Sequence, residues 1–229
     1  MTKQKKPSEE PGVPRRNNSK QILDAAEKVF SVHGLSGTRI EDIARACGLP
    51  KANVLYYFST KEKLYKATLE RVLGHWLANA ELHLSAEQDP AEGLRQYVLS
   101  KMAFSQKHPA ASRLLMHELL AGGQHVRGFL KTTMREHVAN RVTVFKVWQE
   151  KGLIQIADPV HFLFLLWAMT QSYSDMQVQY AALLGRARLT QADFETGTEA
   201  ILQLVNAACL QRPDGNWAEV KAEQTRLGR

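Results

Sequence analysis

The sequence predicts an all-α protein: a small N-terminal domain of short helices, then a larger C-terminal helical domain, about nine helices in all. Three observations predict it. Apolar residues recur at i, i+3, i+4 and i+7 from Ser19 to about Leu210. Helix stops and starts separate these stretches: Gly34, Gly48, Gly122-Gly123, Gly152 and Gly185 as stops, Pro50, Pro90, Pro109 and Pro159 as starts. No alternating run reads as a strand.

The elements follow in order. Residues 1–18 hold Lys3, Lys5, Lys6, Arg15 and Arg16 among Pro7, Pro11 and Pro14, and read as a disordered basic arm. Ile22, Ala25, Ala26, Val29 and Phe30 form the buried stripe of a first helix, which Gly34 ends. Thr38 and Glu41 read as a capping box opening a short helix with Ile40, Ile43 and Ala44 inside. Gly48 breaks it, and Pro50 opens a second short helix through Tyr57. Ser59 with Glu62 reads as another capping box, starting a long helix with Leu64, Leu69, Val72, Leu73, Trp76 and Leu77 on one side.

Beyond residue 85, Leu94, Tyr97, Val98, Lys101 and Met102 continue at helical spacing. One helix is expected from Pro109 towards Gly122, and a long one from there to Lys151. Another is expected from Asp158-Pro159 to about Leu184, and a last one over Thr190–Leu210. The residues after Pro213 read as a polar tail.

Composition bounds the function. The chain has 229 residues, 44% of them hydrophobic, and a net charge of +7. That excludes a fibrous or wholly disordered chain. The longest apolar run, Phe162–Met169, falls far short of the roughly 20 residues of a membrane span. No signal segment is legible, and Cys47 and Cys209 make no disulfide framework, so a cytoplasmic protein without membrane association is expected. Residues 1–66 hold 13 Lys+Arg against 7 Asp+Glu, nearly all the excess charge. A local positive field of this kind suits a polyanion such as DNA.

Two short helices joined by a Gly-containing turn and flanked by longer ones make a helix-turn-helix. The second would enter the major groove. It carries Lys51, Asn53, Tyr56 and Tyr57, with Lys61 just beyond, while Val54, Leu55 and Phe58 pack inward.

The stretch from Gly34 through Thr38-Arg39-Ile40-Glu41, Gly48-Leu49-Pro50-Lys51-Ala52-Asn53 and Leu55-Tyr56-Tyr57-Phe58 to Lys61 and Leu64 resembles the DNA-binding domain of TetR-family transcriptional regulators. The resemblance implies that Thr38 and Arg39 sit near phosphates. It implies that Lys51, Ala52 and Asn53 face base edges, and that Tyr56, Tyr57 and Lys61 hold the backbone. Pro50 departs from the pattern, since many members carry a hydroxyl residue there. The last two helices, apolar around much of their circumference at Ile201, Leu202, Leu204 and Val205, would by the same resemblance form a four-helix homodimer interface. Two reading helices then suit a palindromic operator on double-stranded DNA.

In the helix after Pro159 the apolar pattern turns polar. Trp167, Gln171 and Asp175 stand four apart and share one face. Indole, amide and carboxylate suit a small polar planar ligand; a polar patch within the dimer bundle is the alternative. Pro109-Ala-Ala-Ser-Arg-Leu and Trp167-x-x-Thr-Gln-x-Tyr-x-Asp-x-x-Val-Gln resemble the pyrimidine-responsive subgroup of the family. That implies a uracil- or thymine-like effector, with Trp76 lining its pocket. The domains then read as 1–18 arm, 19–65 DNA-binding, 66–212 ligand-binding and dimerisation, and 213–229 tail. A multidrug-type repressor with a hydrophobic effector, or an effector-free DNA-binding protein, stays open. No nucleophile, cofactor or compact metal-ligand motif is legible, so neither an enzyme nor a metal site nor a cofactor is expected.

Overall fold

The computed structural model describes residues 13–81 and 83–209. The greater part of the expected arm and the expected tail lie outside these residues. The regular structure of the described residues is all helical, with no strand among them. They form two compact units: one holds the chain up to Ala78 together with Lys107–Thr132, the other Asn79–Gln106 together with the residues from Thr133 on.

The first unit is built on α1 (Val13–Gly37), α2 (Ile40–Cys47), α3 (Lys51–Phe58) and most of α4 (Lys61–Glu81). Helix α1 starts six residues before the expected Ser19, at Val13. Its expected stripe is buried, with Ile22, Ala26 and Phe30 fully so. Phe30 meets Tyr65 of α4 edge-on at 4.9 Å between centroids, a favourable aromatic geometry. Arg71 of α4 ties the same helix pair from outside, to Asp24 at 2.5 Å and Glu27 at 2.8 Å.

Both expected capping boxes are corrected. Thr38 is 1% exposed, and its hydroxyl donates to the Gly34 carbonyl at 2.7 Å rather than accepting from α2. Arg39 is the residue at the N-cap of α2 and makes no side-chain cap. At α4 the cap is Thr60, whose hydroxyl accepts from the Lys63 N–H, because Ser59 is held at φ 54 to turn the chain.

Helix α6 (Pro109–Leu120) packs on α1 and belongs to this first unit. Its buried face is Ala111, Ser112, Leu114, Leu115 and Glu118. The Glu118 carboxylate, 3% exposed, accepts from the His125 backbone N–H at 2.7 Å and faces His125 Nδ1 at 3.1 Å. Tyr65 also hydrogen-bonds Glu118, and burial together with that carboxylate pushes the phenol pKa up. Glu118 and His125 thus tie α6 to the loop after it.

The second unit holds α5 (Pro90–Lys107), α8 (Arg135–Glu150), α9 (Pro159–Asp175), α10 (Gln177–Leu183) and α11 (Gln191–Cys209). Its core is centred on Leu94, Tyr97, Val98, Phe145, Trp148, Leu163 and Leu166, all fully buried. Asp158 caps α9 by accepting from the His161 N–H at 2.8 Å.

Two expected long helices are each divided. The stretch towards Lys151 becomes α7 (Arg127–Phe129), a π-helical turn at Leu130–Met134, and α8. Gly128 and the Thr132 hydroxyl, which bonds back to the Gly128 carbonyl at 2.9 Å, both loosen the regular ladder there. The stretch to Leu184 breaks at Met176, at φ −100 and ψ 19. The Ser172 hydroxyl bonds back to the Met169 carbonyl just before the break.

Helices α9 and α11 approach closely at Gly197, where an added Cβ would overlap the Tyr173 ring. That ring is held by Tyr180 at 5.5 Å and Phe194 at 5.8 Å and has little freedom to retreat. Gly197→Ala is therefore expected to destabilise the protein by about 2 kcal/mol despite the better helix propensity of alanine. A lowered thermal midpoint checks it, and an unchanged one refutes the steric argument.

Candidate nucleic-acid interface

Helix α2 ends at Gly48, at φ 66 and ψ 23, a left-handed cap that glycine adopts without steric cost. The Gly48 and Leu49 N–H groups donate to the carbonyls of Arg45 and Ala44, closing the helix. The chain then passes Pro50 directly into α3, whose first turn is closed by the Asn53 N–H on the Pro50 carbonyl at 2.9 Å. Val54 is fully buried and anchors α3, while Leu55 and Phe58 are half-buried. The opposite side of α3 is therefore free to face outward.

That side carries the expected residues. Lys51, Ala52 and Asn53 are exposed, and Tyr56 is 73% exposed. Arg39 is exposed at the start of α2. Lys51 pairs with Glu41 at 2.6 Å, and the ammonium holds the Glu41 carboxyl below its ordinary pKa. Tyr57 is half-buried, with Asn18 of α1 donating to its hydroxyl at 3.4 Å, and packs edge-on against Tyr56. Lys61 donates to the Thr38 carbonyl at 3.0 Å and so ties the start of α4 to the approach to α2. Thr38 itself presents no side chain outward.

The expected effector residues fall in both units. Trp76 is 5% exposed on α4 in the first unit. Trp167, Gln171 and Asp175 lie along α9 in the second, each half-buried. The Trp167 indole N–H donates to the Tyr97 hydroxyl at 2.7 Å, and its ring meets the Phe164 ring at 5.7 Å between centroids. Burial pushes the Tyr97 phenol pKa well up, keeping it neutral.

Sequence reasoning placed Tyr97 and Lys101 in an apolar stripe and assigned Ser174 no role. Both Lys101 and Ser174 are buried polar groups of the second unit, at 3% and 0% exposure. The available signal was a lysine standing where the helical period demands an apolar residue.

Among the described residues no group of three or more His, Cys, Asp and Glu side chains could hold a metal ion. Among them, too, no helix is long and apolar enough to cross a membrane.

Comparison with known proteins places this geometry. Residues 22–68 match the family described as bacterial regulatory proteins, tetR family, and residues 69–212 match the YcdC-like protein, C-terminal region. The HTH-type transcriptional regulator RutR of Escherichia coli K12 is 33% identical over 186 residues, covering 81% of this chain and 87% of the relative. The HTH-type transcriptional repressor NicS of Pseudomonas putida KT2440 is 34% identical over 137 residues, covering 58% and 64%. Among solved structures, AibR in complex with isovaleryl coenzyme A and operator DNA shares the fold at a TM-score of 0.66 and 20% identity, covering 82% of this chain and 97% of that one. The putative regulator SCO4942 of Streptomyces coelicolor does so at 0.65 and 23%, covering 83% and 97%. With both of its parts matched and a relative at this identity over most of its length, the chain belongs to the TetR family of bacterial transcriptional regulators.

Proposed function

We propose that the protein is a homodimeric repressor that binds a palindromic operator through α3 and is released by uracil or thymine. The observation that carries the DNA part is the outward row Lys51, Ala52, Asn53 and Tyr56 on a helix whose other side is anchored by Val54. Asn53 reads a base edge, Arg39 and Tyr56 hold phosphates, and Lys51 exchanges Glu41 for an acceptor on DNA. Tyr57 and Lys61 are better suited to positioning, since their polar atoms are engaged within the domain. Thr38 contributes through its backbone rather than its hydroxyl.

A dimer is supported by apolar side chains left at the surface of the second unit. Phe164 and Leu165 on α9, Val178 and Leu183 on α10 and Leu204 on α11 are 45% to 85% exposed. Such a set is more than a monomer normally leaves to water. The effector part rests on the polar face of α9 and on the resemblance to the pyrimidine-responsive subgroup. Trp167 would stack on the ring while Gln171 and Asp175 hydrogen-bond it. Trp76 enters on the resemblance alone.

The test is selection of binding sites from random DNA with the full chain, followed by gel shift with and without uracil or thymine. Recovery of inverted half-sites, and their release by either pyrimidine, is the expected result. Binding that tracks salt with no sequence preference would overturn the operator reading. Sequence-specific binding indifferent to both pyrimidines would overturn the effector.

A further inference from the structure

Lys51 opens α3 and Glu41 lies in the first turn of α2, so the two short helices meet across this pair. Lys51 Nζ stands 2.6 Å from Glu41 Oε1, and the two side chains are 53% and 52% exposed. The helices are joined without it. The Gly48 and Leu49 N–H groups close α2, while Ile43, Ala44 and Cys47 of α2 and Val54 of α3 supply the buried side. An exposed lysine–carboxylate pair adds little to stability. Its consequence is to be sought at the surface on which it lies.

That surface is the one proposed to meet DNA, with Arg39 ahead of α2 and Lys51 on α3. The hydrogen bond from Lys51, foremost, and the charge of Arg39 both hold the Glu41 carboxyl below its ordinary pKa. Glu41 is thus an anion in the field of two cations assigned to DNA. An anionic oxygen within hydrogen-bond reach of an ammonium is also what a phosphate offers. When DNA arrives, Lys51 must give up the carboxylate, and the carboxylate is then left facing a polyanion. Both changes oppose binding, and neither depends on base sequence.

We propose that Glu41 is an internal competitor for Lys51, standing in for a DNA acceptor and lowering the affinity of the protein for DNA of any sequence. The proposal rests on the reading that α3 faces DNA, and it adds a device that keeps sequence-independent binding weak. Lysine suits such an exchange, since its ammonium is a point charge on a flexible stem.

The experiment measures binding of the full chain to the selected operator and to a mixed-sequence duplex by fluorescence anisotropy, over a series of KCl concentrations. The proteins are wild type, Glu41→Gln, Lys51→Met and the double variant. Glu41→Gln is expected to bind the mixed duplex about fivefold more tightly than wild type at low salt. Its log affinity is expected to fall more steeply with log salt, by about 0.9 for each DNA-binding domain engaged. In the Lys51→Met background the same change is expected to gain at most about twofold. The thermal midpoint of Glu41→Gln should match wild type.

A pair that merely braces α2 against α3 gives the opposite sign. Weaker binding and a lower midpoint in Glu41→Gln therefore overturn the proposal, as does unchanged binding. An equal gain in both backgrounds reports a general charge effect and overturns the competition for Lys51. In each of these outcomes wild type still binds DNA, so the reading of α3 stands. Wild type and Lys51→Met both failing to bind either duplex at low salt overturns that reading and the competitor with it.

Discussion

Asn53→Ala is expected to lower affinity for the selected operator by about 10- to 100-fold while leaving affinity for random DNA within about twofold. Asn53 is exposed on the first turn of α3, next to Val54, which is buried and holds the helix in place. Its side chain bears no packing load, so the substitution leaves the domain intact. An asparagine amide can pair bidentately with an adenine edge, and losing one such pair is worth about 1–3 kcal/mol of discrimination. Phosphate contacts from Arg39 and Tyr56 would persist, and they carry no sequence information. Titrating both DNA targets at one salt concentration separates the two effects. Equal losses on both would show that Asn53 serves only general affinity.

Glu118→Ala should cost about 3–4 kcal/mol of stability, more than any single contact at the outer face of α3. The carboxylate is buried and meets three polar groups: the His125 backbone N–H, the His125 ring nitrogen and the Tyr65 hydroxyl. Removing it leaves the buried Tyr65 hydroxyl and the His125 N–H without that acceptor. Glu118→Gln keeps an acceptor oxygen and is expected to lose about half as much. Chemical denaturation of the three proteins checks the order, and a Glu118→Ala midpoint equal to wild type would refute it. Because Tyr65 belongs to α4 and Glu118 to α6 of the same unit, operator binding should fall with stability in this series.

The buried phenols give a pH dependence of definite sign. Tyr65 and Tyr97 both have pKa values raised above the ordinary 10.0, so the unfolded chain loses these protons first. Their contribution to stability is complete below pH 10 and declines as pH rises beyond it. A thermal midpoint that rises between pH 10 and 11 would contradict this.

The helix-turn-helix was legible because its signals are short-range. Gly48 takes the left-handed cap that only glycine enters freely, Pro50 opens the next turn, and Val54 supplies the inward anchor within a few residues. The stripes of α1 and α4 were equally legible, since a period of 3.6 residues is written in the chain itself. Capping was less so. Two adjacent hydroxyls, Ser59 and Thr60, compete for one cap, and the left-handed backbone at Ser59 gives it to Thr60. Thr38 lost its cap because its hydroxyl is turned inward to the Gly34 carbonyl.

The amino-acid order by itself determined the helical class, the reading helix and its outward side chains, all consequences of neighbours within two turns. Tertiary structure alone decided that α6 joins α1 rather than the helices adjacent to it in sequence. It alone decided that Trp167 gives its N–H to Tyr97, 70 positions away, and that Lys101 is buried beside them. Contacts across such separations leave no period in the chain. They depend on which apolar faces meet, and only the packed core settles that.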